Sequence, residues 1–205
     1  MTALVSLTVL IFVAAITPGP NNLAVLSAAA HRGAAGAAHA IAGVLLGSLA
    51  LLALALAGAD ALFTSQPRVR VAIGFLGCGY LAWLGARMIA QSLRRPDPLG
   101  TVTSSGMTQL VSLQFANPKA WTLILTAVAV ARGAMQPAAA ALALTTLFLI
   151  IPSVCLAAWA WFGIRVMPRL QHGASRRWFD RTMGVLLLAS AIALLADTSH
   201  WSPLP

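Results

Sequence analysis

The chain has 205 residues, of which 60% are hydrophobic and only 8% charged, with a mean hydropathy of +0.87. A soluble domain carries about 25% charged residues, so the composition excludes an ordinary water-soluble globule and points to an all-α integral membrane protein. The net charge of +9 comes from 13 Lys plus Arg against 4 acids, all Asp, but the basic residues stand between apolar spans without an aromatic or polar face beside them. They therefore read as orientation signals in a membrane, and no nucleic-acid partner is expected.

The first apolar span, residues 4–30, is interrupted by Thr17-Pro18-Gly19-Pro20-Asn21-Asn22. The prolines remove backbone donors and restrict the residues before them, so one straight helix cannot pass through this stretch. Two half-helices are expected, with Thr and Asn side chains at the opened backbone able to satisfy it. His31, Arg32 and Gly33 predict a turn, and the second span covers residues 36–57, where Gly43 and Gly47 form a small-residue face for close helix approach.

Asp60 to Arg70 reads as a short polar connection, and residues 71–90 as the third span. Its Trp83 is expected to anchor or pack, with the substrate path as the alternative, while Arg87 can reach the interface along its stem. A hydrophilic stretch from Gln91 to Gln109 forms the natural midpoint of the chain. The fourth span, residues 110–130, is interrupted in its turn by Phe115-Ala116-Asn117-Pro118-Lys119-Ala120-Trp121. A fifth span at residues 139–162 contains Pro152, a candidate kink, and Arg165, Arg169, Arg176, Arg177 and Arg181 are expected in the following link. Asp180 is expected to pair with Arg177 or Arg181. The sixth span is placed at residues 183–196.

Six transmembrane helices divide as three plus three, giving two inverted repeats whose first helix is broken: residues 1–95, a link at 96–108, and residues 109–205, in one membrane domain. With both termini outside, nine basic residues (Arg32, Arg87, Arg94, Arg95 and the five from Arg165 to Arg181) fall on the cytoplasmic side, against Arg68, Arg70 and Arg132 outside. Both termini are therefore expected outside the cytoplasm, on the periplasmic side. No basic residue precedes the first apolar run, which argues against a cleaved signal peptide.

Two interrupted hydrophobic segments at matched positions are the mark of a secondary transporter with its site at the repeat interface. Opened backbone must face protein or water, and half-helix ends suit the carboxylate and ammonium of a small zwitterion. Substrate-binding or gating residues are therefore expected at Thr17, Pro18, Gly19, Pro20, Asn21, Asn22, Asn117, Pro118 and Lys119, although the polar ones among them can serve simply as helix caps. Lys119, the single lysine, has three readings: a contact with the substrate carboxylate, a pair across the repeat interface, or a side chain reaching the interface.

No phosphate-binding loop, metal-ligand pattern or nucleophile elbow occurs, so neither an enzyme nor a cofactor is expected. Asp60 and Asp97 read as link residues, Asp197 as an end-of-span residue, Cys78 and Cys155 as packing residues, and His31 and His39 as interfacial or packing residues.

Four motifs then carry a family resemblance over nearly the whole chain: Thr17-Pro18-Gly19-Pro20-Asn21-Asn22 with Arg32-Gly33 and Gly36; Gly77-Cys78-Gly79-Tyr80-Leu81-Ala82-Trp83-Leu84-Gly85; Phe115-Ala116-Asn117-Pro118-Lys119-Ala120; and Phe179-Asp180-Arg181-Thr182-Met183-Gly184. In this order they resemble the lysine exporter superfamily, specifically its homoserine/threonine efflux branch. The resemblance implies a bacterial inner-membrane carrier that exports amino acids or small derivatives, with the proton motive force as its energy source.

The motifs are shared by branches with different cargo. Neither break contains an acid to meet a second cationic group, which favours neutral amino acids over lysine or arginine. Export of cationic amino acids or of another small metabolite is the alternative within transport. A non-transporting membrane assembly or sensory subunit is the alternative outside it. The expected partners are a small amino acid, protons, membrane lipid and, through the glycine-rich faces, a further copy of the chain, although those glycines can equally be used within one protomer.

Overall fold

The computed structural model describes residues 2–59, 67–93, 107–170 and 174–199, and every regular element among them is helical. In chain order these are α1 (Thr2–Ile16), α2 (Pro20–Leu54, running into a π-turn at Ala55–Ala59), α3 (Pro67–Leu93), α4 (Met107–Ala116), α5 (Pro118–Ala134), α6 (Pro137–Arg165, followed by a 3-10 turn at Met167–Leu170) and α7 (Ala174–Ser199). Proline occupies the first turn of α2, α5 and α6, where its missing N–H removes no helical hydrogen bond and its fixed φ favours helix entry.

Both interruptions are present. The first separates α1 from α2 at residues 17–19, and the second is the single residue Asn117 between α4 and α5. The expected turn at His31–Gly33 narrows to one residue. Gly33 has φ 60 and ψ −150, a conformation open to glycine, and helix resumes on its far side. Pro152 lies inside the continuous α6, where its ring denies the Phe148 carbonyl its usual donor four residues on.

The last helix departs most from expectation. It begins at Ala174, so Arg176, Arg177 and Arg181 belong to its first turns and not to a link. Asp180 pairs with Arg176, one turn before it, and not with Arg177 or Arg181: Arg176 Nε donates to both carboxylate oxygens at 3.0 and 2.8 Å. Both residues are buried, so each charge is matched where it is shielded from water. Arg181 instead donates to Ser92 Oγ at the end of α3, at 3.2 Å. A 26-residue helix is roughly 39 Å long, longer than the hydrocarbon core of a bilayer, which lets its charged start sit at the interface.

Among the described residues, three helices are long and apolar enough to cross a bilayer by length and composition, at residues 20–58, 137–165 and 174–196, and α1 is a shorter apolar helix. The outer surface agrees with lipid surroundings: Leu76 is 76% exposed, and Leu142, Ile192 and Val154 also point outward, whereas the amide of Gln114 is fully buried. Apolar outside with buried polar groups that are hydrogen-bonded is the arrangement a bilayer imposes. The protein is an all-helical integral membrane protein. The expectations for Asp60, Arg94, Arg95, Asp97 and residues 96–106 of the link lie outside the described residues.

Each short helix at a break lies against a long helix from the other half of the chain. α1 packs on α6, and α4 packs on the part of α2 after Gly33; α3 and α7 pair extensively. The second contact depends on glycine. A Cβ at Gly43 would lie 2.7 Å from Leu110 Cβ, and one at Gly47 would lie 2.5 Å from Gln114 Cγ. The Gly43/Gly47 face is thus used inside the protomer. One apolar cluster joins Leu7, Ile11 and Leu52 to Ile124, Leu144 and Phe148, and another joins Val25 and Val44 to Leu110 and Leu156. The two breaks meet between them.

Candidate functional site between the helix breaks

At the end of α1 the Val13 carbonyl still accepts from the Thr17 N–H at 3.2 Å, and the carbonyls after it, which lack helical donors, find substitutes. The Thr17 hydroxyl approaches the Val13 and Ala14 carbonyls at 2.8 and 3.1 Å. Asn22 Nδ2 donates to the carbonyls of Ala15 and Thr17 at 3.0 and 2.9 Å. The indole N–H of Trp159, on α6, donates to the Ile16 carbonyl at 3.2 Å. The remaining donor comes from the other break: Lys119 Nζ donates to the Thr17 carbonyl at 3.1 Å and to Thr17 Oγ1 at 2.7 Å. Across the gap, Gly19 immediately precedes α2 and offers no side-chain cap.

The second break is more self-contained. Asn117 Oδ1 caps α5 by accepting from the Lys119 backbone N–H at 3.1 Å, and Trp121 Nε1 donates back to the Phe115 carbonyl at 2.9 Å. Pro118 is wedged beneath α3, where a Cβ at Gly77 would overlap its ring.

An amide pair joins the breaks. Asn21 Nδ2 donates to Gln114 Oε1 at 3.1 Å, and Gln114 Nε2 donates back to Asn21 Oδ1 at 2.8 Å. Longer contacts of 3.4 Å reach Asn21 Oδ1 from Asn117 Nδ2 and Gln114 Oε1 from the Ser48 hydroxyl. Beside this pair lies a cavity of about 60 Å³, room for a few water molecules. Its polar wall holds Thr17, Asn21, Asn22, Ser48, Gln114, Asn117 and Lys119; its apolar wall includes Ile124, Phe148, Pro152 and Leu156. Such a wall can seat an aliphatic body, while the polar side offers an ammonium, amides and carbonyl oxygens.

Of the nine residues singled out from the sequence, Thr17, Gly19, Pro20, Asn21, Asn22, Asn117 and Lys119 line this cavity. Pro118 supports it from behind, and Pro18 lies in the break without lining it. Lys119 pairs across the junction of the two breaks. Sequence reasoning missed Gln114, Ser48 and Trp159. Gln114 carried a readable signal, an amide three residues before Asn117 in an apolar run; Ser48 carried only its adjacency to Gly47, and Trp159 none. Trp83 is absent from the cavity wall and 54% exposed, with the Arg87 guanidinium 5.3 Å from its ring centre and Tyr80 stacked at 6.0 Å.

A family model described as LysE type translocator matches residues 12–198, a stretch that contains both breaks and the whole cavity. The chain belongs to the LysE type translocator family. Among its LysE relatives, the cysteine/O-acetylserine efflux protein of Salmonella choleraesuis is 33% identical over 111 residues, 52% of this chain and 54% of that protein. The leucine efflux protein of Klebsiella pneumoniae is 32% identical over 109 residues, 51% of each chain, and an uncharacterised membrane protein of Pseudomonas aeruginosa is 32% identical over 113 residues, 51% of this chain and 52% of that one. The match thus spans about half the length of these curated relatives. No solved structure matches the chain.

Proposed function

We propose that this LysE-type protein is a secondary active exporter of small neutral amino acids or their derivatives, threonine- or homoserine-like in size, across the bacterial inner membrane. The observation that carries this reading is the cavity at the junction of two helix breaks, lined by amides, opened backbone and one ammonium. A zwitterion carries an ammonium and a carboxylate, and the break between α1 and α2 sets a carbonyl end against an amide end. The missing acid in the cavity wall favours neutral side chains over cationic ones. The relatives named for cysteine, O-acetylserine and leucine efflux act in the same direction.

The reading includes two inverted three-helix repeats, residues 1–95 and 109–205 joined by 96–108, both termini periplasmic, and inward proton movement as the driving force. Reciprocal packing supports the repeat: α1 on α6 mirrors α4 on the second part of α2. Alternating access then requires the amide pair Asn21–Gln114 and the Lys119–Thr17 bonds to part and re-form as the halves rock.

The test is reconstitution into liposomes with a panel of labelled threonine, homoserine, leucine, O-acetylserine and lysine, with and without an imposed proton gradient. Saturable, gradient-stimulated flux of a neutral amino acid is expected. Tighter saturation by lysine would overturn the substrate class, and absence of flux for the whole panel in folded, inserted protein would overturn export of amino acids.

A further inference from the structure

Lys119 is the chain's only lysine and the only charged side chain in the cavity wall. Its partners are both oxygens of Thr17, at the carbonyl end of α1, where the aligned peptide dipoles place partial negative charge. Asn22 Nδ2 shares the Thr17 carbonyl, and the other carbonyls of that turn are held by Asn22, by Trp159 and by the Thr17 hydroxyl itself, all neutral donors. Lys119 alone arrives as a cation on a flexible four-carbon stem. It also has space to move into, since it lines the cavity between the two breaks.

A lysine head group is a primary alkyl ammonium with three donors, the same group that an amino acid carries on its α-carbon. The chain therefore occupies its own cavity with a tethered copy of the functional group that the proposed cargo presents. Two ammonium groups cannot both be charged at one pair of oxygens, because like charges so close disfavour each other's protonation.

We propose that the carbonyl end of α1 at Thr17 is an ammonium site used in turn by Lys119 and by the ammonium of the exported amino acid, so that substrate binds only as Lys119 gives up a proton. This rests on the export reading above. On the cytoplasmic side the arriving substrate takes the Thr17 oxygens, and Lys119 releases its proton to the cytoplasm. On the outer side Lys119 takes a proton from the exterior, returns to Thr17 and displaces the substrate. One proton moves in for each amino acid moved out, with no acid needed in the pathway.

Among the described residues, no other titratable group is placed to perform this exchange. The cavity residues from α1, α2, α4 and α6 are all non-titratable. On α5, Arg132 is bonded to the Leu56 carbonyl at the far end of the helix. On α3, which presses on Pro118, Cys78 faces the groove toward Leu188 and Ala191 of α7, and Tyr80 stacks on Trp83.

The experiment measures proton release on substrate binding to the purified full chain in weakly buffered detergent, using whichever of threonine, homoserine, leucine and O-acetylserine carries the largest liposome flux. About one proton released per substrate bound is expected, with Kd tightening about tenfold for each unit rise in pH while Lys119 starts protonated. The 2-hydroxy acid analogue, which keeps the carboxylate and lacks the amine, should release none. Lys119→Met should abolish the release and make whatever exchange it retains insensitive to pH, and Lys119→Arg, which keeps a permanent cation on Thr17, should weaken binding at every pH. Wild-type flux without proton release, or release that survives in a folded Lys119→Met protein, overturns the shared site and leaves export standing. Absence of both binding and flux in the wild type overturns both.

Discussion

The two helix breaks match in position but not in construction. The first depends on donors from three other places, Asn22 on the next helix, Trp159 on α6 and Lys119 beyond the second break, and its amide end carries no side-chain cap. The second is one residue long, capped by its own Asn117 and wedged by Pro118 against Gly77. On the export reading, matched interruptions divide the labour: the first would supply the polarised backbone for a ligand, and the second Lys119 and a brace that keeps it aimed. Substitutions on each side should separate these roles.

The brace gives the largest expected effect. Gly77→Val drives a branched side chain into the Pro118 ring, whose neighbouring backbone cannot yield without moving α5, so a loss of about 3 kcal/mol is expected. Thermal unfolding in detergent should show it, together with loss of flux. An unchanged unfolding temperature would mean that α3 does not brace the second break. Next comes Gln114→Ala, which leaves Asn21 only the long contact from Asn117 and opens space at the junction, for a loss of about 2–3 kcal/mol. Gln114 is fully buried and also takes the Ser48 contact, so flux should fall further than after Asn21→Ala. Equal losses would mean that the amide pair alone ties the two breaks. Trp159→Phe removes a single donor from the Ile16 carbonyl with the packing largely retained, for about 1 kcal/mol, and should affect flux more than overall stability.

The positions of the breaks were legible because proline and glycine act on the backbone locally, and Pro18, Pro20 and Pro118 do so wherever the rest of the chain goes. Lys119 stood out for a similar reason, as a charge in an apolar run. Gln114, Ser48 and Trp159 were not legible, since their partners lie 93, 66 and 143 residues away in sequence and their roles arise only when α4 settles on Gly43 and Gly47 and α6 on α1. The start of α7 was misread because Arg176, Arg177, Asp180 and Arg181 look like a solvated link. Placed on a helix, Arg176 and Asp180 fall one turn apart and neutralise each other, which a composition window does not register.

The smallest expected effect is also the sharpest test of the division of labour. Asn117 makes one good hydrogen bond, the cap to the Lys119 N–H, and one long contact to Asn21. Asn117→Ala should cost about 1 kcal/mol through the lost cap, and Asn117→Ser should recover most of it because a hydroxyl caps nearly as well. If the second break is a brace, flux follows stability: it drops modestly in the Ala variant and returns in the Ser variant, since α5 again starts at the same residue and Lys119 again points at Thr17. If Asn117 also reads the substrate, the Ser variant unfolds at the wild-type temperature yet keeps the flux defect, because its short side chain cannot reach where the amide did. Measuring unfolding temperature and flux on the same two proteins decides between a support and a second binding surface.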